Sequence, residues 1–211
     1  MPKATLTLLL LVLGLSLCAQ SRFGLFAGPQ ITSAKYKVEG YEQSTSQKYG
    51  FNAGVHWKIP FDNNLYFTPA IFYSLKGYKA EFNRYVYPPG ANASDNNTTI
   101  HTAELAFLLQ VDFGKQPSHF FFRGGPTLDF QLKGTERFHE NGGETSRNMK
   151  YSFGDYGRYA ANFLLQLGYE SKGGFQVFGT YSHGMTNLNN ADEGPSIKHR
   201  VFGLGFGYFL N

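Results

Sequence analysis

The sequence predicts an all-β fold, an antiparallel up-and-down transmembrane β-barrel of about eight strands, the smallest common size for such barrels. Three observations carry this prediction. Short runs alternate apolar and polar residues, the runs are joined in turn by tight polar turns and long polar loops, and Tyr and Phe gather near both ends of the runs. The alternation is plainest between residues 99 and 113, where Ala103, Leu105, Phe107, Leu109, Val111 and Phe113 share one face and Glu104, Gln110 and Asp112 take the other. A repeat of two belongs to a strand, whose successive side chains point to opposite faces, and not to a helix.

The first element is a targeting segment. Lys3 precedes the apolar stretch 6–17, too short to span a bilayer as a helix and built like a secretory signal. Cleavage near Ala19 and Gln20 would divide the chain into a signal peptide, residues 1–19, and a barrel domain, residues 20–211. A lipoprotein acylated at Cys18 is the competing reading, but Leu17 stands where that processing wants a small residue. Cys18 is the single cysteine. The processed chain is therefore expected to lack disulfides and to depend on strand closure and packing.

Eight strands follow. The first covers residues 22–34, with Phe23, Leu25, Ala27 and Ile31 on one face. The second, 48–59, sets Tyr49, Phe51, Ala53, Val55, Trp57 and Ile59 outward against Asn52, His56 and Lys58 inward. A turn at 60–64 leads to the third, 65–82, with Leu65, Phe67, Ile71, Tyr73 and Leu75 on its apolar face, and the fourth is the run ending at Phe113. After the turn at 114–117, the fifth strand, 119–133, opposes Phe120, Phe122, Leu128, Phe130 and Leu132 to Arg123, Asp129, Gln131 and Lys133. The sixth, 156–170, sets Tyr159, Phe163, Leu165, Leu167 and Tyr169 against Arg158, Asn162, Gln166 and Glu170. The polar Gly-rich segment 171–174 is a tight hairpin signal, and 175–185 and 198–210 complete the set.

Composition fits this reading. With 211 residues the chain suits one domain. Its mean hydropathy of -0.31 is expected of a barrel, in which only alternate residues meet lipid. Aromatics at 17% and 25 glycines suit interfacial girdles and a narrow lumen. The net charge of +4 comes from lysines and arginines scattered among acids, so the chain carries no nucleic-acid footprint.

The connections separate a barrel in a membrane from one in water. Those after strands two, four and six are short, whereas 35–47, 83–98, 134–155 and 186–197 are long and polar. Bacterial outer-membrane barrels have this asymmetry, with periplasmic turns and extracellular loops, and both chain ends would then lie in the periplasm. Tyr36, Tyr49, Tyr78, Tyr156 and Tyr159 are expected at the long-loop rim, and Phe61, Phe113, Tyr169, Phe175 and Tyr208 at the turn rim. The structural rival is a soluble lipid carrier with its apolar face inside. Charged residues interspersed with Gly54, Gly125, Gly168, Gly203, Gly205 and Gly207 argue for a narrow polar lumen instead.

The blocks 124–130 (GGPTLDF), 181–189 (YSHGMTNLN) and 202–209 (FGLGFGYF) resemble the PorT-like outer-membrane β-barrel proteins of Bacteroidetes, over nearly the whole barrel domain. The resemblance implies a fold and an outer-membrane location in a Gram-negative cell. It implies no functional site. One member of that family is tied to a secretion apparatus, and nothing in these residues maps that role.

Candidate chemistry is sparse. Lys58, Glu104, Asp112, Arg123, Asp129, Arg158 and Glu170 are expected to line the lumen. In so narrow a barrel they are expected to pair as a structural plug, with a narrow pore for small solutes as the alternative. A lipid-modifying enzyme would need Ser182 and His183 to cooperate, but neighbours on a strand point to opposite faces. His139, Glu140 and Glu144 share a loop without any recognised metal-ligand spacing. The expectation is accordingly a non-enzymatic barrel with no cofactor and no metal. Its partners would be outer-membrane lipid and lipopolysaccharide, the barrel-insertion machinery acting on a last strand with alternating Phe202, Leu204, Phe206 and Tyr208, and a protein or glycan at the loops. Tyr41, Tyr85, Tyr87, Pro88, Pro89, Phe138 and Tyr151 are the loop residues suited to contact it.

Overall fold

The computed structural model describes residues 21–83, 92–114, 116–140, 142–192 and 194–210. The N-terminal stretch expected to be a signal, with Cys18, and Tyr85, Tyr87, Pro88 and Pro89, lie outside the described residues. The alternating runs form strands β1 (Arg22–Val38), β2 (Tyr41–Glu42), β3 (Ser44–Ser46), β4 (Lys48–Asp62), β5 (Leu65–Glu81), β6 (Ala93–Phe113), β7 (His119–Glu140), β8 (Gly143–Asn148), β9 (Tyr159–Glu170), β10 (Phe175–Gly184) and β11 (Ser196–Leu210). Eight of them make the wall, in the order β1, β4, β5, β6, β7, β9, β10 and β11, each antiparallel to the next. β11 then pairs with β1 from Phe23↔Leu210 to Lys37↔Ser196, and the sheet closes on itself. Closure leaves no edge strand, so every wall amide and carbonyl can find a partner within the sheet, as a lipid environment requires.

The pleat sorts side chains by parity. On β6, Leu109, Val111 and Phe113 are exposed on the outer wall while Gln110 and Asp112 are buried inside. The same sorting exposes Leu25, Ile31, Phe51, Ile71, Phe120, Phe122, Phe163, Leu167, Phe202, Leu204 and Phe206. An outer wall this apolar around an interior holding Lys58, Asp112, Arg123 and Glu170 is the inverse of a soluble lipid carrier. The structure therefore decides for the membrane barrel. At the turn end, Asn63 adopts φ 44 and Gly174 adopts φ 85, left-handed conformations that Asn tolerates and Gly adopts freely.

Within the wall, aromatic rings from separate strands meet in the lumen. Phe26, Phe72, Phe121 and Phe178 pack with Ala70, Ala106, Leu108 and Leu164 as one buried cluster. Ring centroids lie 5.6 Å apart for Phe26 and Phe72 and 6.1 Å apart for Phe26 and Phe178. Space for Phe178 comes from an inward glycine on the adjacent strand, since a Cβ at Gly205 would stand 2.2 Å from its ring.

Three expectations are corrected at the loop end. Among the described residues, the first three long connections are largely strand, because β1, β6 and β7 run past the apolar belt and β8 pairs back on β7, whereas 186–197 is irregular until β11 begins. Tyr36, Tyr78 and Tyr156 are not girdle residues. They are buried inside, in a second cluster with Ala34, Val38, Ala80, Ile100, Met149, Ala160, Leu188 and Ile197. Tyr36 and Tyr78 share the inward parity of Thr32 and Lys76 on their strands, so the sheet pleat carries them away from lipid. Tyr49 and Tyr159 are exposed on the outer wall. Lys133 also points outward. A register shift between His101 and Thr102 opposes them to Lys133 and Gln131, and this bulge puts Leu132 and Lys133 both on the exposed side.

Gly205→Ala is expected to lower barrel stability by about 1–3 kcal/mol through the displaced Phe178 ring. Gly203→Ala should be milder, because its nearest neighbours would lie 3.4 Å away. Urea midpoints of the heat-modifiable gel band for both variants and the parent check this order.

Candidate functional site

The interior is built in layers. Nearest the turn end, β4 contributes Lys58, whose Nζ stands 2.6 Å from Asp112 Oδ2 on β6 and 2.9 Å from Glu170 Oε2 on β9. His119 Nε2 lies 3.0 Å from the same Asp112 oxygen, and Arg22 forms an ion pair with Glu170 Oε1. Gln176 donates to Glu170 Oε2 at 3.0 Å and Gln110 donates to Asp112 Oδ1 at 2.7 Å. Each carboxylate thus accepts from several donors, which offsets much of the cost of removing it from water.

Above this layer sits Arg123. Among the described residues no carboxylate lies within ion-pair distance of it. Its guanidinium bonds Gln166, donates to His56 Nδ1 at 3.2 Å, and lies 4.7 Å from the Phe178 ring centroid and 5.0 Å from that of Phe121. Arginine tolerates such a site better than lysine because its planar, weakly hydrated cation stacks on aromatic faces. The next layer centres on Lys76, whose Nζ is 2.7 Å from Glu104 Oε1 and 2.7 Å from Asp129 Oδ2. Beside it, Gln30 donates to Ser74 Oγ at 2.8 Å and accepts from Asn52 at 2.9 Å. The void between these layers measures about 20 Å³, room for roughly one water.

Beyond the belt the mouth is closed by the tyrosine cluster and by Glu136. This buried carboxylate accepts from Asn96 at 3.1 Å and from the Tyr156 hydroxyl at 2.6 Å, and pairs with Arg147 at 2.8 Å. Burial, with Tyr78 and Glu136 nearby, pushes the Tyr156 pKa far above that of a free phenol, so the hydroxyl remains a donor.

Six of the residues nominated from sequence, Lys58, Glu104, Asp112, Arg123, Asp129 and Glu170, are buried inside the barrel. Arg158 is not. It is exposed at the loop rim, its guanidinium 5.3 Å from the Tyr151 ring centroid, because β9 begins only at Tyr159 and residue 158 escapes the alternation. Sequence reasoning missed Arg22, Lys76 and His119 as members of the network. Lys76 was visible by parity, two positions after Ser74 on the non-apolar face of β5. The remaining candidates separate in space. Ser182 is buried inside, whereas His183 is exposed outside and bonded to the Tyr181 hydroxyl at 3.0 Å. His139 Nδ1 donates to Asp95 at 2.7 Å, and among the described residues no group of side chains could hold a metal ion. Phe138 is buried and Tyr151 packs against the tyrosine cluster, so neither is offered to a partner. Tyr41, of the nominated set, is exposed as expected, and Phe153, which was not nominated, is 98% exposed.

A barrel with lipid-facing apolar walls, short turns and a polar, filled interior matches one family profile, the outer membrane protein beta-barrel domain, over residues 18–190. The chain belongs to this family. It is an outer membrane β-barrel, and the apolar belt is the part that lies in that membrane. Comparison with curated proteins finds no match. Among solved structures, Ail of Yersinia pestis is similar at 15% identity, over 90% of this chain and 99% of that one, with a TM-score of 0.43. Neisserial surface protein A is similar at 10% identity, over 88% and 97%, with a TM-score of 0.43. OprG of Pseudomonas aeruginosa is similar at 12% identity, over 90% and 96%, with a TM-score of 0.40.

Lys76→Met leaves Glu104 and Asp129 buried without their shared cation and is expected to cost about 3–5 kcal/mol. Arg158→Ala, at an exposed position, should change stability by no more than about 0.5 kcal/mol. Urea unfolding of the two variants separates these outcomes. The Asp95 hydrogen bond and charge raise the His139 pKa above that of an ordinary imidazole. The pair therefore contributes fully below the ordinary histidine pKa and is lost as pH rises through the raised value. An NMR titration should show this elevated midpoint, and Asp95→Asn should lower it.

Proposed function

We propose that this outer membrane barrel is a structural or surface-binding protein that meets a protein or glycan partner through its extracellular walls and loops, and that it is neither a conduit nor an enzyme. The filled interior carries this reading. Four carboxylates, Glu104, Asp112, Asp129 and Glu170, face four cations, Arg22, Lys58, Lys76 and Arg123, across the described lumen. These charges act as a structural plug, holding the strands to one another where a pore would need them free to meet water. Further support comes from the loop end, where strand extensions and the exposed Phe153 offer ordered surface outside the membrane.

The finer family assignment rests on the blocks 124–130, 181–189 and 202–209, which lie on or immediately after β7, β10 and β11 and support a PorT-like Bacteroidetes protein. Residues 1–19 are read as its signal peptide. The alternating Phe202, Leu204, Phe206 and Tyr208, all exposed on the outer wall of β11, suit recognition by the insertion machinery.

Planar-bilayer recording of the refolded barrel tests the plug, with heat-modifiable mobility as the control for folding. A folded barrel without steady current is the expected result. Discrete, reproducible openings would overturn the plug and make the lumen a pore for small solutes.

A further inference from the structure

On the outer wall of β5, β6 and β7 the apolar belt stops abruptly, and cations take over. Register places Leu75, His101 and Lys133 side by side, then Gly77, Thr99 and Thr135, then Lys79, Asn97 and Arg137. The alternate residues Asn96, Thr98, Ile100 and Glu136 are buried inside, so the named positions face out. Lys48, at the start of β4, reaches across Gly77 into these rows. Its Cδ would stand 3.1 Å from a Cβ at that glycine, so a side chain at residue 77 would crowd it. The Lys48 ammonium donates to Asn97 Oδ1 at 2.6 Å, to the Thr98 carbonyl at 3.0 Å and to Thr99 Oγ1 at 2.6 Å, all neutral acceptors.

Lys48, Asn97, Thr99, Thr135 and Arg137 line an open groove of about 280 Å³. Among the described residues no carboxylate lies within ion-pair distance of Lys48, Lys79 or Lys133, and the contact of Arg137 with Glu144 is long, at 3.9 Å. The acids of this wall, Glu81 and Asp95, sit one row further from the belt, where Asp95 is engaged by His139. Burial and the adjacent Lys79 and Arg137 lower the Lys48 pKa to about 8, as expected where like charges gather without an anion.

We propose that Lys48, Lys79, Lys133 and Arg137, with Asn97, Thr99 and Thr135 as hydrogen-bonding neighbours, form a binding site for the phosphate of an outer-leaflet glycolipid whose acyl chains lie on the belt beneath. Height selects the lipid source. The groove opens immediately above Leu75, Ala103 and Leu132, so an anion held there is continuous with chains packed on Tyr73, Phe107 and Phe130. A phosphate supplies the missing negative charge and several acceptors, which lysine ammonium groups and a guanidinium meet with charge-assisted hydrogen bonds.

The test is native mass spectrometry of the full barrel released from detergent micelles, with diphosphorylated lipid A, dephosphorylated lipid A and inorganic phosphate as probes. The parent should retain the diphosphorylated lipid in preference to the dephosphorylated one. Lys48→Gln with Lys79→Gln should weaken retention by about fivefold for each cation removed. Lys48→Arg with Lys79→Arg should restore it, and Lys172→Gln with Lys198→Gln, away from the groove, should not change it. Heat-modifiable mobility verifies folding of every variant. For the unaltered chain, raising ionic strength should weaken retention as well. Equal retention of the two lipids, equal retention by the glutamine variant, or displacement of the lipid by inorganic phosphate would overturn the proposal.

Discussion

The pairing of β11 with β1 is the constraint on which the rest of the molecule depends. Once a sheet of eight wall strands is closed, its circumference leaves an interior just wide enough for side chains to fill. Inward groups must then satisfy one another. This explains why Lys58 serves two carboxylates, why Lys76 serves two more, and why Arg123 stacks on Phe121 and Phe178 in place of an acid. Single ion pairs carried out of water gain little. Networks in which one carboxylate meets several donors, as Asp112 and Glu170 do, recover much more of the lost hydration.

The two ends of the barrel obey opposite rules. In the belt, β6 turns Leu109 and Phe113 outward and Gln110 inward; beyond it, the same strand turns Asn97 and Thr99 outward and Ile100 inward. β5 makes the same exchange, from outward Ile71 and inward Lys76 to outward Lys79 and inward Tyr78 and Ala80. The reversal marks where the surroundings change from hydrocarbon to water. Inside the belt the wall is greasy and the lumen combines ion pairs with the Phe26, Phe72, Phe121 and Phe178 cluster, and outside it the extension is built like a small soluble domain, with a core of Tyr36, Tyr78, Tyr156 and Leu188. The mouth is thereby packed mainly by apolar and aromatic side chains, and the shaft by ion pairs together with a second aromatic cluster.

The place where the rules exchange is also where the outer wall presents Lys48, Lys79, Lys133 and Arg137. Basic residues at this level complement anionic headgroups and anchor a barrel against vertical drift. Surface electrostatics and fold are thus linked by strand length, because a wall ending at the belt would have no row on which to place these cations.

Strand positions, the inward or outward face of most wall residues and the membrane location were legible from the sequence. A period of two fixes the face, and the asymmetry of the connections separates lipid from water. Parity also held the burial of Tyr36 and Tyr78, which composition at the rim obscured. Arg158 and Lys133 were not legible, since one lies just before its strand begins and the other beyond a bulge that no residue type announces. Nor was the choice of partners. That Lys58 meets Asp112 and Glu170, and Lys76 meets Glu104 and Asp129, follows from the stagger between strands around the closed ring. The sequence by itself determined which side of the wall each strand residue faces, because that depends only on its neighbours along the chain. Only the tertiary structure decided which inward groups touch, because contact across a barrel depends on registers summed over every strand between them.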